Sequence, residues 1–174
     1  PMEDWRIIDG AAECLHLGTN RSIHAITRQL TKPRGKLAMS VRMSQVEARG
    51  QNGGAGFRLG IRSELNEYRS NCFVGRGLNA GIVDGQLQLG TDTARLDAST
   101  DLSAVDLFLT GQGKSGQMEL VLEARSPQSG TVLGRVAHLA SADQLLGNVA
   151  LVSNYANSIP RNNPSARVQE TGSR

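Results

Sequence analysis

The amino-acid sequence predicts an all-β protein, a two-sheet antiparallel jelly-roll sandwich, from three observations. Apolar and polar residues alternate with period two in many short segments, such as VDLFLT at 105–110 and QMELVLEA at 117–124. This alternation is typical of strands that bury one face and expose the other. The segments recur at intervals of about 8–12 residues between glycine-bearing turns, the spacing expected of a sandwich. No segment has the apolar period of a long amphipathic helix.

The strands are predicted from the alternation, and the turns from glycine, proline and aspartate. Turn signals stand at Asp9-Gly10, in TKPRG at 31–35, at Asp84-Gly85 and in GQGKSG at 111–116. The predicted strands, some joined as hairpins, lie in residues 5–17, 23–30, 36–46, 57–61, 71–81, 82–90, 105–124, 131–140 and 145–155. The predicted connections are a glycine-rich loop at 47–56, polar segments at 63–70 and 91–104, a turn at 126–130 and a short helical turn at 141–144.

The domain organisation follows from the same pattern. A chain of 174 residues fits one domain. We expect residues 1–155 to form the sandwich and residues 156–174, which are polar, to form a C-terminal tail or linker. Alternate residues of facing strands are expected to share one core. The predicted core residues are Leu37, Met39, Val41, Phe57, Leu59, Ile61, Leu107, Leu109, Leu120, Leu122, Val149 and Leu151.

Charge and hydropathy disfavour two classes of partner. The net charge is +3, but the arginines are scattered rather than clustered, so nucleic-acid binding is not expected. No run of 18 apolar residues occurs, and a transmembrane helix is therefore not predicted. The chain shows no signal peptide at Pro1, although a signal could have been removed. The expected location is secreted or periplasmic.

The two cysteines leave two interpretations open. Cys14 and Cys72 lie far apart in the sequence, in segments predicted as strands. They could pair across the two sheets in an exported protein, or they could be two small buried apolar residues. Neither a CxxC motif nor metal-ligand spacing is present.

Two glycine motifs imitate nucleotide-binding loops, and both are interpreted as turns. GQGKSG at 111–116 resembles the end of a phosphate-binding loop, but Phe108 stands where the first glycine is needed. GRGLNA at 75–80 matches a dinucleotide fingerprint. Both motifs require a helix to follow, and both are followed by residues that alternate as strands do.

One pair of carboxylates is a candidate for catalysis. Glu119 and Glu123 lie on the same face of a predicted strand. Retaining glycosidases use two carboxyl groups about 5 Å apart. Val121 occupies the same face between the two glutamates, and Arg125 continues it. A solvent-facing strand of mixed charge explains the same pattern, so a catalytic role is not favoured.

Few side chains are candidates for coordinating a metal ion or for stacking against a sugar. Four aspartates in turns or connections could offer oxygens to a structural calcium ion, although no fixed calcium-loop signature occurs: Asp84, Asp92, Asp97 and Asp101. Aromatic residues, which often form sugar platforms, make up only 3% of the chain. The candidate platforms are Trp5, Tyr68, Phe73 and Tyr155, of which Tyr68 stands in the most polar context.

Several runs resemble a known family of sandwich modules. They are GAGFRLGIRSE (54–64), GRGLNAGIVDGQLQLG (75–90), residues 105–136 and LLGNVALVSNY (145–155). Together they resemble concanavalin A-like, laminin-G-like jelly-roll modules. In particular, they are similar to the module that precedes the phosphatase domain in bacterial proteins of the alkaline phosphatase D type. The resemblance implies a concanavalin-like jelly roll. It carries over no catalytic residue, and residues 156–174 lack the aromatic-rich closing strand of that family.

The function expected from these observations is a non-catalytic binding or accessory module of an exported bacterial protein, with a glycan as the favoured ligand. The side chains expected to bind it are Arg58, Arg62, Tyr68 and Arg76, on one polar sheet face. Two alternatives stay open: a structural module that contacts a neighbouring catalytic domain, and a small carbohydrate-active enzyme that uses Glu119 and Glu123.

Overall fold

The computed structural model describes residues 4–16, 18, 21–44, 54–72, 76–97 and 100–155. These residues form twelve strands and two four-residue helices. The strands are β1 (Trp5–Ile8), β2 (Ala11–Cys14), β3 (Arg21–Leu30), β4 (Lys36–Ser44), β5 (Gly54–Ile61), β6 (Leu78–Val83), β7 (Gln86–Leu89), β8 (Asp92–Arg95), β9 (Ala104–Lys114), β10 (Gln117–Arg125), β11 (Val132–Ala140) and β12 (Gly147–Ser153). The helices are α1 (Tyr68–Asn71) and α2 (Ala142–Leu145). The predicted all-β class is confirmed, and the predicted tail at 156–174 lies outside the described residues.

The strands form two large antiparallel sheets and one hairpin. The first sheet has the order β11-β10-β9-β4, and the second has the order β3-β12-β5-β6-β7-β8. Strands β1 and β2 form a separate two-stranded sheet. The Asp4 carboxylate beside this hairpin accepts a hydrogen bond from Arg21 of β3 at 3.0 Å and lies 3.4 Å from His16 Nε2. These contacts fix the hairpin to the edge of the six-stranded sheet.

The two large sheets face each other across one apolar core. Leu107, Leu109, Leu120 and Leu122 contribute from the four-stranded sheet and are fully buried. From the six-stranded sheet come Phe57, Leu59, Leu78, Leu87 and Leu89. Leu37, Met39, Val41 and Leu151 pack against this cluster and are partly buried. All the predicted core residues except Ile61 therefore belong to the core between the sheets.

Ile61 is buried on the opposite face of its sheet, and the reason is a bulge. Asn148 pairs with Ile61 while Ala150 pairs with Arg58, so β5 has one extra residue at this point. Gly60 occupies the bulge with a φ of 64°, and a Cβ there would collide with the Gln144 carbonyl of α2. Strict alternation from Leu59 predicts that Ile61 faces the main core. The extra residue turns its side chain to the outer face instead, where it is buried beside Val152.

The predicted tight turns coincide with left-handed backbone. Asp84 and Gly85 have φ values of 50° and 72°, and Ser115 and Gly116 have values of 49° and 81°. Positive φ at both central residues is what a two-residue hairpin with a type I′ turn requires. The segment that imitates a phosphate-binding loop is therefore the end of a hairpin, and the strand β10 follows it rather than a helix.

Three segments differ from the prediction. Residues 54–56 were expected to end a loop, but β5 already begins at Gly54. Residues 71–81 were expected to be one strand, but Asn71 ends the helix α1 and the strand β6 begins only at Leu78. The polar connection at 91–104 contains the short edge strand β8. Cys14 is partly buried and Cys72 is exposed, both as free thiols, so neither is a fully buried apolar residue.

Candidate functional site

The outer face of the six-stranded sheet carries a row of residues with three polar side chains, those of His24, Arg58 and Asn79. Cross-strand pairing aligns His24, Ala150, Arg58 and Asn79, and the Gly90 amide continues the row by donating to the Asn79 carbonyl at 2.8 Å. The neighbours of Arg58 along β5 face the core, so Arg58 itself points outward. The row therefore crosses the four strands β3, β12, β5 and β6, on the face that the core does not use, and ends at Gly90 just beyond β7.

Arg58 is the centre of this row and is almost completely buried. The residue is only 3% exposed, and its Nε donates to Asn79 Oδ1 at 2.8 Å. The guanidinium lies over the Tyr155 ring, 5.5 Å from its centroid. Burial lowers the pKa of Arg58, but an arginine keeps its charge at any ordinary pH. The site thus contains a positive charge held in place from two directions.

Tyr155 covers the same face and is anchored at its hydroxyl. The residue is 1% exposed, and its Oη donates to the Phe57 carbonyl at 2.7 Å. A Cβ added at Gly56 or Gly81 would lie 2.8 or 2.7 Å from this hydroxyl, so the two glycines make room for the ring. Burial raises the pKa of Tyr155 above its ordinary value. The phenol is therefore a neutral donor near neutral pH.

His24 closes the row on the β3 side. Its Nδ1 is buried without a hydrogen-bond partner among the described residues. Desolvation, with the nearby charge of Arg58, lowers the pKa of His24. Both causes favour the neutral imidazole, so the row carries its positive charge on Arg58.

A network of side-chain amides, of which Asn71 and Asn148 are buried, supports this sheet beside the row. Asn71 Nδ2 donates to Asn148 Oδ1 at 2.7 Å, and the Asn71 side-chain oxygen accepts from the Ser63 amide at 2.7 Å. Gln29 also donates to Asn148 Oδ1, at 3.3 Å. Asn148 Nδ2 in turn donates to the Arg28 carbonyl at 3.4 Å. The segment between β5 and α1 is thereby fixed against the sheet.

A cleft opens at the end of the row where β5, β6 and β7 meet α2. Its volume is about 430 Å³, within the usual range of small-ligand sites, about 300–1,000 Å³. The backbone of three glycines and Leu78 forms part of its wall. Its polar lining residues are Arg76, Asn79, Gln88, Thr91, Asp143 and Gln144.

One of the four predicted ligand-binding residues, Arg76, lines this cleft, and two others contact residues of its lining. Arg58 is outside the lining, and its Nε donates to Oδ1 of Asn79 within the lining. Arg62 is also outside the lining and lies 3.8 Å from Asp143, which belongs to it. Tyr68 begins the helix α1, but its side chain is outside the described part of the structure.

Sequence reasoning missed the other lining residues, although one signal for them was present. Asn79 and Gln88 stand at polar positions between the buried Leu78, Ala80, Leu87 and Leu89. Alternation places them on the outer face, but it does not distinguish them from ordinary surface residues. Asp143 and Gln144 reach the cleft through α2, and no local pattern marks them.

The two candidate catalytic glutamates lie on the outer face of the other sheet. Glu119 is paired with Lys114 at 3.3 Å, and Glu123 with Arg125 at 2.6 Å. Arg135 lies 3.8 Å from Glu123 as well. Four residues of strand separate their Cα atoms by about 13 Å. Each carboxylate therefore has its own cationic neighbour.

A second, smaller groove of about 280 Å³ lies on this outer face, beside the four-stranded sheet's edge. Arg42 binds Asp106 in it through two hydrogen bonds of 2.7 and 2.8 Å. This contact lowers the pKa of Asp106. Phe108 lines the same groove, with the Arg125 guanidinium 4.8 Å from its ring. Phe108 was not among the aromatic residues that the sequence singled out.

No metal-binding cluster of three or more His, Cys, Asp or Glu residues occurs within the described ranges. Of the aspartates proposed as calcium ligands, Asp92 contacts His138 Nδ1 at 2.7 Å, and Asp101 accepts from the Ser103 amide. The calcium ion thus stays a prediction. Among the described residues, neither helix has the length and apolar character needed to cross a membrane.

Comparison of the chain with protein-family models, with curated proteins and with solved structures finds no match. The function is therefore inferred from the geometry of the cleft and of the polar row that ends at it.

Proposed function

We propose that this domain is a non-catalytic glycan-binding module of an exported bacterial protein, built on a concanavalin-like jelly roll, and that the cleft beside α2 holds the sugar. The observation that carries the proposal is the lining of the cleft. Amides, a hydroxyl, a carboxylate and a guanidinium converge on a volume suited to a small ligand. These groups donate to and accept from hydroxyls, which is what a sugar requires.

Paired strands hold part of the cleft lining in fixed positions, which favours a ligand-binding site over an ordinary polar surface. Asn79 and Gln88 stand on paired strands, and Arg58 Nε donates to Asn79. A site on rigid elements loses little conformational entropy when its ligand binds. The lining residues within the described ranges include no aromatic side chain, so recognition in this cleft depends on hydrogen bonds.

A thermal-shift panel of oligosaccharides tests the proposal. A bound glycan at about 100 times its Kd stabilises the fold by about 2.7 kcal/mol, which raises the Tm of a domain of this size by about 5–10 °C. Gln88→Ala removes one acceptor and should weaken binding by about fivefold, the value of one hydrogen bond near 1 kcal/mol.

Gln112→Ala provides the matched control, because Gln112 is an exposed glutamine on the outer face of the other sheet. It should bind the glycan as the unchanged protein does. A panel without any shift, or equal losses from the two substitutions, contradicts the proposal.

A structural role beside a neighbouring domain is the second candidate, and the β1–β2 hairpin favours it. Ile7 is 75% exposed, and Ile8 and Leu15 are 46% and 47% exposed. These apolar side chains, on both faces of the hairpin and beside it, offer contact area to a neighbouring domain. Sedimentation of the protein over a range of concentrations, with Ile7→Ser as the comparison, tests whether this hairpin self-associates.

The enzyme alternative has a separate test. If Glu119 and Glu123 cleave glycosidic bonds, Glu119→Gln abolishes the release of reducing sugar. Activity that survives substitution of both glutamates eliminates this alternative. The ion pairs of both carboxylates and their position on the other sheet favour the binding module.

A further inference from the structure

The amide groups in the cleft have fixed orientations, because each has a second partner whose chemistry is unambiguous. Arg58 Nε can only donate, so it must contact Asn79 Oδ1, and the Asn79 amide nitrogen is left for a ligand. The Ser141 amide likewise donates to Gln144 Oε1 at 2.9 Å. This leaves the Gln144 amide nitrogen as that side chain's remaining donor.

One amide has the opposite orientation. Gln88 Nε2 donates to the Gly90 carbonyl at 3.1 Å, so Gln88 offers its oxygen. Two of the three amides therefore present donors, and the donors lie on different elements, β6 and α2. The cleft is richer in hydrogen-bond donors than its composition suggests.

The charges around the cleft add to this excess of donors. Arg76 is exposed and has no ion-pair partner among the described residues. The carboxylate in the lining, Asp143, is 94% exposed and is offset by Arg62 at 3.8 Å. Arg58 contributes a buried positive charge beside Asn79. A ligand with negative oxygens would meet donors and positive charge together.

From this geometry we infer that the glycan carries a negatively charged oxygen group, a carboxylate or a sulfate. The inference depends on the proposed function and specifies its ligand. The anion contacts the Arg76 guanidinium and the amide nitrogens of Asn79 and Gln144, and a neighbouring sugar hydroxyl donates to Gln88. Arginine suits this role because its planar donors match a carboxylate or a sulfate.

Calorimetric titration with matched ligands tests the inference. The ligands are an oligogalacturonate, its carboxyl-reduced neutral counterpart, a sulfated dextran fragment and the same dextran without sulfate. We expect the anionic members to bind at least tenfold more tightly than their neutral counterparts, equivalent to about 1.4 kcal/mol. A preference for the uronate or for the sulfated ligand identifies which anion the cleft takes.

Two substitutions in the cleft, one that removes a positive charge and one that removes a negative charge, should change the affinity for the anionic ligand in opposite directions. Arg76→Gln should weaken binding of the anionic ligand by about tenfold and binding of a neutral ligand by much less, because a neutral ligand has no charge for Arg76 to pair with. Asp143→Asn removes the negative charge in the lining and should tighten binding by about threefold, an effect that loss of folding cannot produce. Lys36→Gln removes a positive charge, as Arg76→Gln does, from an exposed position on the other sheet and should change neither affinity.

Each outcome supports or refutes the glycan module, the anionic ligand, or both. If neutral and anionic glycans bind equally, the glycan module stands and the anionic ligand is refuted. If Lys36→Gln weakens binding as much as Arg76→Gln does, the overall positive charge of the protein attracts the anion, and the specific contact with Arg76 is refuted. If no glycan of either kind binds, the glycan module fails, and the anionic ligand fails with it.

Discussion

Tyr155 provides the sharpest test of the buried polar row, through the substitution Tyr155→Phe. The change removes only a hydroxyl that donates to the Phe57 carbonyl at 2.7 Å in a residue 1% exposed. Loss of a buried hydrogen bond costs about 1–2 kcal/mol when its acceptor is left partly unpaired. Thermal unfolding near pH 8 should therefore show a Tm lower by about 2–8 °C.

The same substitution should change how stability depends on pH. Burial raises the pKa of Tyr155 above its ordinary value of 10.0. Above pH 10 an unfolded tyrosine ionises while the folded one does not, so this group's contribution to stability is present below pH 10 and is lost as the pH rises. Phenylalanine cannot ionise. The stability difference between the two proteins should consequently shrink above pH 10.

Urea unfolding of both proteins between pH 8 and pH 11 measures this difference directly. Every other titrating group is common to the two chains, so its contribution cancels. Equal stability at pH 8 would refute the hydrogen bond. A constant difference in the free energy of unfolding across the whole pH range would refute the burial of the phenol.

Three further predictions concern the same fold. Gly81→Ala places a methyl group 2.7 Å from the Tyr155 hydroxyl and against a strand carbonyl, so chemical denaturation should show a loss of about 1–3 kcal/mol. Asn148→Ala leaves the buried Asn71 amide without its acceptor, and the same assay should show a loss of about 1–3 kcal/mol. Asp106→Asn breaks the exposed pair with Arg42, which lowers the Asp106 pKa. A small drop in Tm near pH 7 should therefore disappear as the pH falls through that lowered pKa.

The sheets were predictable where alternation was strict. Leu107 and Leu109 on β9, and Leu120 and Leu122 on β10, occupy every second position of their strands, and all four are buried. Successive side chains of a regular strand point to opposite faces, so the alternation in the sequence predicts which of them are buried. The short strand β8 was missed because Ala94 is its only apolar residue, so its four residues show no alternation.

The candidate site was predictable only in part, because its parts come from distant positions. Arg58 was expected on a polar face, and it does point to that face. The burial of Arg58 could not be predicted from nearby residues, since the ring that covers it belongs to Tyr155, far along the chain. The cleft likewise joins Asn79 to Gln144 across the break in β5 at Gly60. A bulge changes which face a side chain occupies, and alternation alone cannot place it.

The position of β12 in its sheet has a consequence for how the chain is assembled during synthesis. This strand is inserted between β3 and β5, both of which are translated long before it. Strands β9, β10 and β11 can pair as soon as they leave the ribosome, since they are neighbours in the chain. The facing edges of β3 and β5 must wait, with unpaired amides and carbonyls open to other strands. Insertion of β12 thus closes the six-stranded sheet late in folding, and until then the nascent domain is exposed to pairing with the wrong strand.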